Sequence, residues 1–167
     1  CPGMLQAFLE GNDKEERVLA VEEKFELNLP GLAVPVQGRV DAVVEDHSGA
    51  ITIVDYKTAA TRPTQIDADH NLQMTLYGIW GKQRWPDRDI HLRMDYLIKS
   101  KRNPAFIRFG TARKELHELE LTQLFRKVYN HICMLRSEVI DPLPVASWKC
   151  ASCSYRHACR NQEVMAA

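Results

Sequence analysis

The chain has 167 residues, in which 22 basic side chains balance 22 acidic ones to a formal net charge of zero. That length suits one domain, and a hydrophobic content of 45% is enough for a core. Neutrality excludes the global basic field of an architectural DNA binder while leaving room for a local acidic site.

In chain order, Arg17 to Leu29 reads as a strand leading to a Pro30-Gly31 turn. Two Val- and Ile-rich runs follow, Gly38-Arg39-Val40-Asp41-Ala42-Val43-Val44 and Ile51-Thr52-Ile53-Val54-Asp55-Tyr56-Lys57-Thr58. They are predicted to form a hairpin. The connection Asp46-His47-Ser48-Gly49-Ala50 suits a three-residue loop with Gly49 in the left-handed position. Such a loop pairs Val43 with Ile53 and Asp41 with Asp55. Alternation then puts Asp41, Val43, Ile53, Asp55 and Lys57 on one face. Like charges directly opposite on a sheet repel. A divalent cation between the aspartates removes the conflict, with Lys57 offsetting charge, and oxygen ligands favour Mg²⁺ or Mn²⁺. The alternative leaves both acids at strand ends in solvent, with Lys57 an ordinary ion-pair partner.

Thr58 to Asp69 reads as a loop and the approach to a helix that runs from around Gln73 to about Trp85-Pro86. Leu72, Leu76, Ile79 and Trp80 form its predicted apolar stripe, and Gln73 and Tyr77, one turn apart, project together. Ile90 to Lys99 and Ala105 to Gly110 are predicted strands. Between them, Lys99, Lys101 and Arg102 make the best local basic patch, a candidate phosphate contact or simply a solvated hairpin tip. Thr111 or its neighbour is expected to cap the approach to a long helix with Leu121, Leu124, Phe125, Val128, Ile132 and Leu135 as its buried stripe. That helix should stop before Asp141-Pro142-Leu143-Pro144. Cys133 on it is expected as core packing. Finally Cys150, Cys153 and Cys159 lie within ten residues, two of them in a C-x-x-C, which points to a metal or cluster site. Disulfides are the competing account. No secretory leader or membrane-spanning run is recognisable, so the expected location is the cytoplasm, where thiols stay reduced. Only Cys1 and Cys133 could supply a fourth ligand.

Gly38-x-x-Asp41, Val54-Asp55-Tyr56-Lys57-Thr58 and Gln73-x-x-x-Tyr77 together resemble the core of the PD-(D/E)XK nuclease superfamily. The likeness is to its RecB-like exonuclease branch, which includes AddB-type and CRISPR-adaptation nucleases, and runs from about Glu22 to Cys159. It implies an α/β, restriction-endonuclease-like core, a mixed central sheet flanked by helices, with a C-terminal cysteine-rich segment. The expected organisation is one domain over 1–167, with the core at about 17–140 and the cysteine segment at 141–160.

The resemblance also implies roles. Asp41, Asp55 and the carbonyl of Tyr56 would hold one or two Mg²⁺ or Mn²⁺ ions, Lys57 would orient water or offset transition-state charge, and Gln73 and Tyr77 would position the backbone of DNA and brace the lysine. Relatives carry a longer helical region ahead of the core, often with a histidine ligand. No histidine here precedes Gly38, so part of that region is expected to be missing, and Glu22 is the candidate for the remaining ligand. Cys1-Pro2 resembles the first ligand of a [4Fe–4S] cluster completed by Cys150, Cys153 and Cys159, with Zn²⁺ as the rival occupant. The expected activity is exonucleolytic hydrolysis of DNA at a single-stranded end, with a possible helicase or recombination partner. Two other classes stay open: an inactive nucleic-acid-binding module of a helicase–nuclease complex, and a zinc-clasped interaction domain.

Overall fold

The computed structural model describes residues 2–12, 15–100, 102–140 and 147–156. The chain divides into two compact units, Cys1–Arg126 and Lys127–Ala167. The first holds α1 (Pro2–Gly11), β1 (Arg17–Leu27), β2 (Val36–Glu45), β3 (Ile51–Ala59), α2 (Gln65–Asp69), α3 (Leu72–Arg84), β4 (Ile90–Ile98) and β5 (Ala105–Thr111). Helix α4 (Glu115–Arg136) begins in it and ends in the second unit.

The strands form one sheet in the order β1-β2-β3-β4-β5, antiparallel throughout except for the parallel pair β3–β4. A parallel pair needs a long crossover, and α2 and α3 supply it. The hairpin has the expected register, with Val43 opposite Ile53. Its loop closes through Asp46 N–H to the Ala50 carbonyl at 3.1 Å, and Gly49 takes φ 84°.

Alternation gives the sheet two unlike faces. Val43, Ile53, Leu92, Met94 and Tyr96 point to α3, whose Met74, Tyr77 and Trp80 complete the main core. Helix α3 sits close because two of its inward positions are glycines: a Cβ on Gly81 would meet Ile53 Cδ1 at 2.7 Å. Of the predicted stripe, Ile79 and Trp80 are buried and Leu76 packs on the core, but Leu72 is exposed, and Met74 and Tyr77 join the buried face. Asn71 caps the helix, its side chain accepting from Met74 N–H at 3.2 Å.

Arg113, just past β5, ties this region together. Its Nε donates to Thr75 Oγ1, its Nη1 to Thr111 Oγ1 and the Ala112 carbonyl, and its Nη2 to the carbonyls of Ala68 and Asn71. All five N–H groups of a guanidinium are thereby used. Thr111 belongs to β5, where it bonds Asp69 and Arg113, so the helix cap predicted at that position is displaced: α4 starts at Glu115, with Lys114 N–H donating to His117 Nδ1.

On the other face, Ala42, Val44 and Val54 form a smaller cluster beside Tyr56, and α1 covers β4 and β5. Phe8 of α1 meets Tyr56 and Phe106 edge-on, at centroid distances of 5.9 and 5.3 Å. Beneath lies a buried ionic cluster. Asp95 is fully buried, with Arg93 Nε at 3.1 Å and Arg108 Nε at 3.6 Å. Arg93 also pairs with Glu16, and Arg108 donates to Asn12 Oδ1 at 2.9 Å, which fastens the segment after α1 to the sheet. Burial pushes the Asp95 carboxyl up, against the pull of the two arginines.

The stripe expected on α4 is only partly covered. Leu121 is buried and Phe125 packs on the core, whereas Leu124, Val128 and Ile132 are exposed. Cys133 is half-buried, its carbonyl accepting from Ser137.

Gly38 has a packing reason. It lies opposite Phe25, and a Cβ there would meet Phe25 Cζ at 2.3 Å. That ring cannot retreat, because Trp80 stacks on it at 5.2 Å and Tyr77 meets it edge-on at 5.9 Å. Gly38→Ala should therefore cost about 1–3 kcal/mol, as overpacking does, read as a lowered urea midpoint with an unchanged m-value.

Candidate active site

The printed β2–β3 ladder ends at Ala42 opposite Val54. From there β2 continues to Val36 against β1 and β3 continues to Ala59 against β4, so the sheet forks. Asp41 and Asp55 stand at the fork, next in register. Asp41 bridges it with its side chain, Oδ2 accepting the Tyr56 N–H at 2.7 Å.

Asp55 is completely buried, and the Lys57 ammonium lies 2.7 Å from its carboxylate oxygens. Lys57 itself keeps 37% of its side chain exposed, so the pair is dry on one side and wet on the other. Nζ also donates to Gln73 Oε1 at 3.1 Å. Gln73 Nε2 donates to the Tyr77 hydroxyl, which donates in turn to the Arg39 carbonyl at 2.7 Å. This run of bonds goes from the buried acid to the lysine, across to α3, and back to β2 two residues before Asp41.

The electrostatics follow from burial. Desolvation pushes the Asp55 carboxyl up and neighbouring Asp41 adds to it, while Lys57 opposes through its hydrogen bond and its charge. Burial pushes the Tyr77 phenol up to about 12, so it stays protonated and able to donate.

The site fits a divalent cation on one specific ground. Asp55 Oδ2 is buried and takes no aligned hydrogen bond, only the charge of the Lys57 ammonium at 2.7 Å, and a buried acceptor short of its hydrogen bonds is costly. A hard cation shared with Asp41 would supply the missing partner. The acids number two, however. Among the described residues no group of three or more His, Cys, Asp or Glu side chains could hold a metal. Glu22 lies on the wall of the same cavity as Asp41, but it pairs with Arg39 at 3.2 Å and has φ 52°, unusual for a non-glycine strand residue.

The structure thus brings together Asp41, Asp55, Lys57, Gln73 and Tyr77 and leaves Glu22 in an ion pair beside them. Tyr56 turns its ring to the α1 face. Lys99 and Arg102 sit exposed at the β4–β5 end, and Lys101 lies outside the described residues. Cys150 and Cys153 share one 3₁₀ turn, Trp148–Ser152 with Cys153 closing it, and Cys150 Sγ accepts from Ser147 N–H at 3.3 Å. Cys1 and Cys159 lie outside the described residues. Inspection of the sequence missed the Arg39 carbonyl, because a backbone acceptor leaves no mark on residue type. It also missed Arg113, which positions the start of α3 only through long-range bonds.

A forked mixed sheet with two acids and a lysine at the fork defines the restriction-endonuclease-like class of α/β fold. The family model of the PD-(D/E)XK nuclease superfamily matches residues 1–160, and the chain belongs to that superfamily. Among solved structures it is similar to SSO0001, with a TM-score of 0.50 and 16% identity over 93% of this chain and 65% of that one. It is also similar to a Eubacterium rectale protein whose name assigns it as an exonuclease, with a TM-score of 0.52 and 11% identity over 84% of this chain and 52% of that one. The chain therefore spans about two thirds of the first and about half of the second. No curated protein matches it. Among the described residues, no helix is long and apolar enough to cross a membrane.

Proposed function

We propose that the protein is a Mg²⁺- or Mn²⁺-dependent deoxyribonuclease of the RecB-like branch, acting as an exonuclease in DNA processing. The observation that carries this reading is the Lys57 ammonium held between buried Asp55 and Gln73 at the fork, with Asp55 Oδ2 met by that charge and by no aligned hydrogen bond. Asp41, Asp55 and the Tyr56 carbonyl would hold the ion, which when bound acidifies water and offsets charge on phosphoryl oxygens. Glu22 would add a carboxylate on turning away from Arg39.

The remaining work falls to the chain. Gln73 and Tyr77 hold the lysine in one orientation, so its charge needs no reorganisation when negative charge grows on the phosphate. Lys57 also orients the attacking water, whose oxygen bonds to phosphorus as the bridging oxygen leaves with the departing nucleotide. Lys99, Lys101 and Arg102 would contact phosphates, and a helicase or recombination protein in the cytoplasm would deliver the strand.

The deciding experiment uses single- and double-stranded DNA labelled at either end, with Mg²⁺, Mn²⁺ or chelator. Metal-dependent release of mononucleotides or short products from ends is expected. Binding without hydrolysis under every metal condition would instead make this a nucleic-acid-binding module. We also propose that Cys1, Cys150, Cys153 and Cys159 clasp a [4Fe–4S] cluster, since thiolates suit iron–sulfur and zinc alike and the branch favours the former. Iron and a visible absorption band in anaerobically purified protein are expected; zinc alone would overturn the clasp without touching the nuclease reading.

A further inference from the structure

The row of side chains that carries Asp55 and Lys57 continues past the active site. Alternation brings Ala59 to the same face, Ala59 lies opposite Ile98, and Ile98 lies opposite Ala105. Where these three strands meet their loops a cavity of about 540 Å³ opens, with Ile98 and Ala105 in its wall and Arg62, Ser100 and Asn103 as its polar lining. Among the described residues, none that lines it is acidic. The cavity beside Asp41 is of the opposite character, walled by Glu16 and Glu22.

Backbone hydrogen bonds fix the loop that carries Ser100 and Asn103, while Arg62 reaches the cavity from the exposed segment after β3. Lys99 N–H bonds the Ala59 carbonyl at 2.7 Å and Ser100 N–H bonds the Ile98 carbonyl at 3.0 Å, which pins the loop to the ends of β3 and β4. Ser100 Oγ accepts the Asn103 N–H at 3.0 Å and so keeps its own proton free. Among the described residues nothing pairs with the Arg62 guanidinium, although charged side chains nearby in the fold are widely paired. An unpaired cation beside a free hydroxyl and a free amide, with no acid present, has the chemistry of a phosphate site.

Its place relative to the active site is set by the strand. Ala60, which also lines the cavity, lies three residues beyond Lys57, a distance of about 10 Å at roughly 3.3 Å per residue. A polynucleotide rises about 3.4 Å per nucleotide along a duplex strand. The cavity therefore lies within the reach of a few nucleotides from the active-site lysine.

We propose that this cavity is a backbone-phosphate subsite of the nucleic-acid substrate, in which Arg62 supplies charge and Ser100 and Asn103 donate hydrogen bonds. The proposal rests on the nuclease reading and deepens it. The subsite favours strands long enough to reach it and steers one strand along the β3–β4–β5 ends towards Lys57.

The test compares wild type, Arg62→Gln, Arg62→Lys and Ser100→Ala on two substrates, a 20-nucleotide single strand and the p-nitrophenyl ester of thymidine 5′-monophosphate, which has no distal phosphate. With Arg62→Gln, the preference for the long strand should fall about tenfold, through KM and not kcat, with partial rescue by Arg62→Lys. Titration of the same oligonucleotide in chelator should show the log–log salt slope shallower by about one charge in Arg62→Gln. An unchanged preference and slope would overturn the subsite, as would equal losses on both substrates. Arg62-dependent binding of inorganic phosphate with an unchanged oligonucleotide slope would make it a free-phosphate site and also overturn the proposal. If wild type hydrolyses neither substrate, the nuclease reading fails, and the slope alone then decides the subsite; no binding of the oligonucleotide at all sinks both.

Discussion

Lys57→Ala is expected to lower metal-dependent DNA hydrolysis by about 100- to 1000-fold, the loss that follows removal of a preorganised charge-stabilising donor. The lysine is not a spare surface cation: its ammonium is fixed by Asp55 and Gln73, and Gln73 is fixed by Tyr77. Removing it leaves Asp55 buried without its counter-charge, so the carboxyl, already pushed up by burial and by Asp41, should rise further. Far-ultraviolet circular dichroism should remain that of the wild type, because Lys57 sits at the exposed rim with 37% of its side chain in water. Turnover by the variant close to that of wild type would sink the assignment of the site.

Asp55→Asn should separate function from stability in the opposite sense. Burial above all holds its folded-state carboxyl above the ordinary range of an aspartate. A group raised in this way contributes stability that is complete below its unfolded value and is lost as pH rises through its folded value. Asparagine keeps the shape and never ionises, and it can still accept from Lys57. In chelator the variant should therefore melt above wild type at neutral pH, with the gap closing as pH falls towards the unfolded carboxyl range. Metal should reverse the order. An ion at a hundredfold excess over its Kd would stabilise wild type by about 2.7 kcal/mol, a rise of roughly 5–10 °C in Tm for a chain of this size. The variant should show no such rise and no hydrolysis. A variant less stable than wild type in chelator at neutral pH would mean that the Lys57 pair outweighs desolvation.

These two variants act on the part of the molecule that was most legible beforehand. The hairpin could be read because its cues are short-range: Gly49 at a left-handed turn position, β-branched runs on either side, and a period of two that sets faces. Those cues alone predicted Asp41 opposite Asp55 with Lys57 beside it, and the ladder runs as expected up to Ala42 and Val54, one pair short of the acids. Gln73 and Tyr77 could be read as one helical face for a similar reason. What the pattern misplaced was the first turn of the α3 stripe, where Ile79 and Trp80 are buried as expected but Leu72 is not. Leu72 looked as apolar as Met74, and only close approach at Gly78 and Gly81 turns Met74 and Tyr77 inward.

The unread features are long-range. Nothing adjacent to Asp95 in the sequence marks it for burial, and its place between Arg93 and Arg108 depends on β5 and on the segment after α1. Arg113 gathers groups up to 45 residues away, and nothing in its neighbours announces that. On α4, Leu124, Val128 and Ile132 follow the same period as buried Leu121 yet stay exposed, since periodicity gives the direction of a stripe and not whether anything covers it.

Residue order thus settled local matters: the turn, the hairpin register up to Ala42 and Val54, and the helical spacing of Gln73 and Tyr77, all governed by backbone geometry over a few residues. Tertiary packing decided the rest. It parted β2 from β3 beyond Ala42 and Val54, buried Asp55 while leaving Lys57 at the rim, and placed the Arg39 carbonyl within reach of the Tyr77 hydroxyl. Burial and desolvation depend on everything that packs around a group, so the charge state and poise of the site belong to the fold and not to any stretch of sequence.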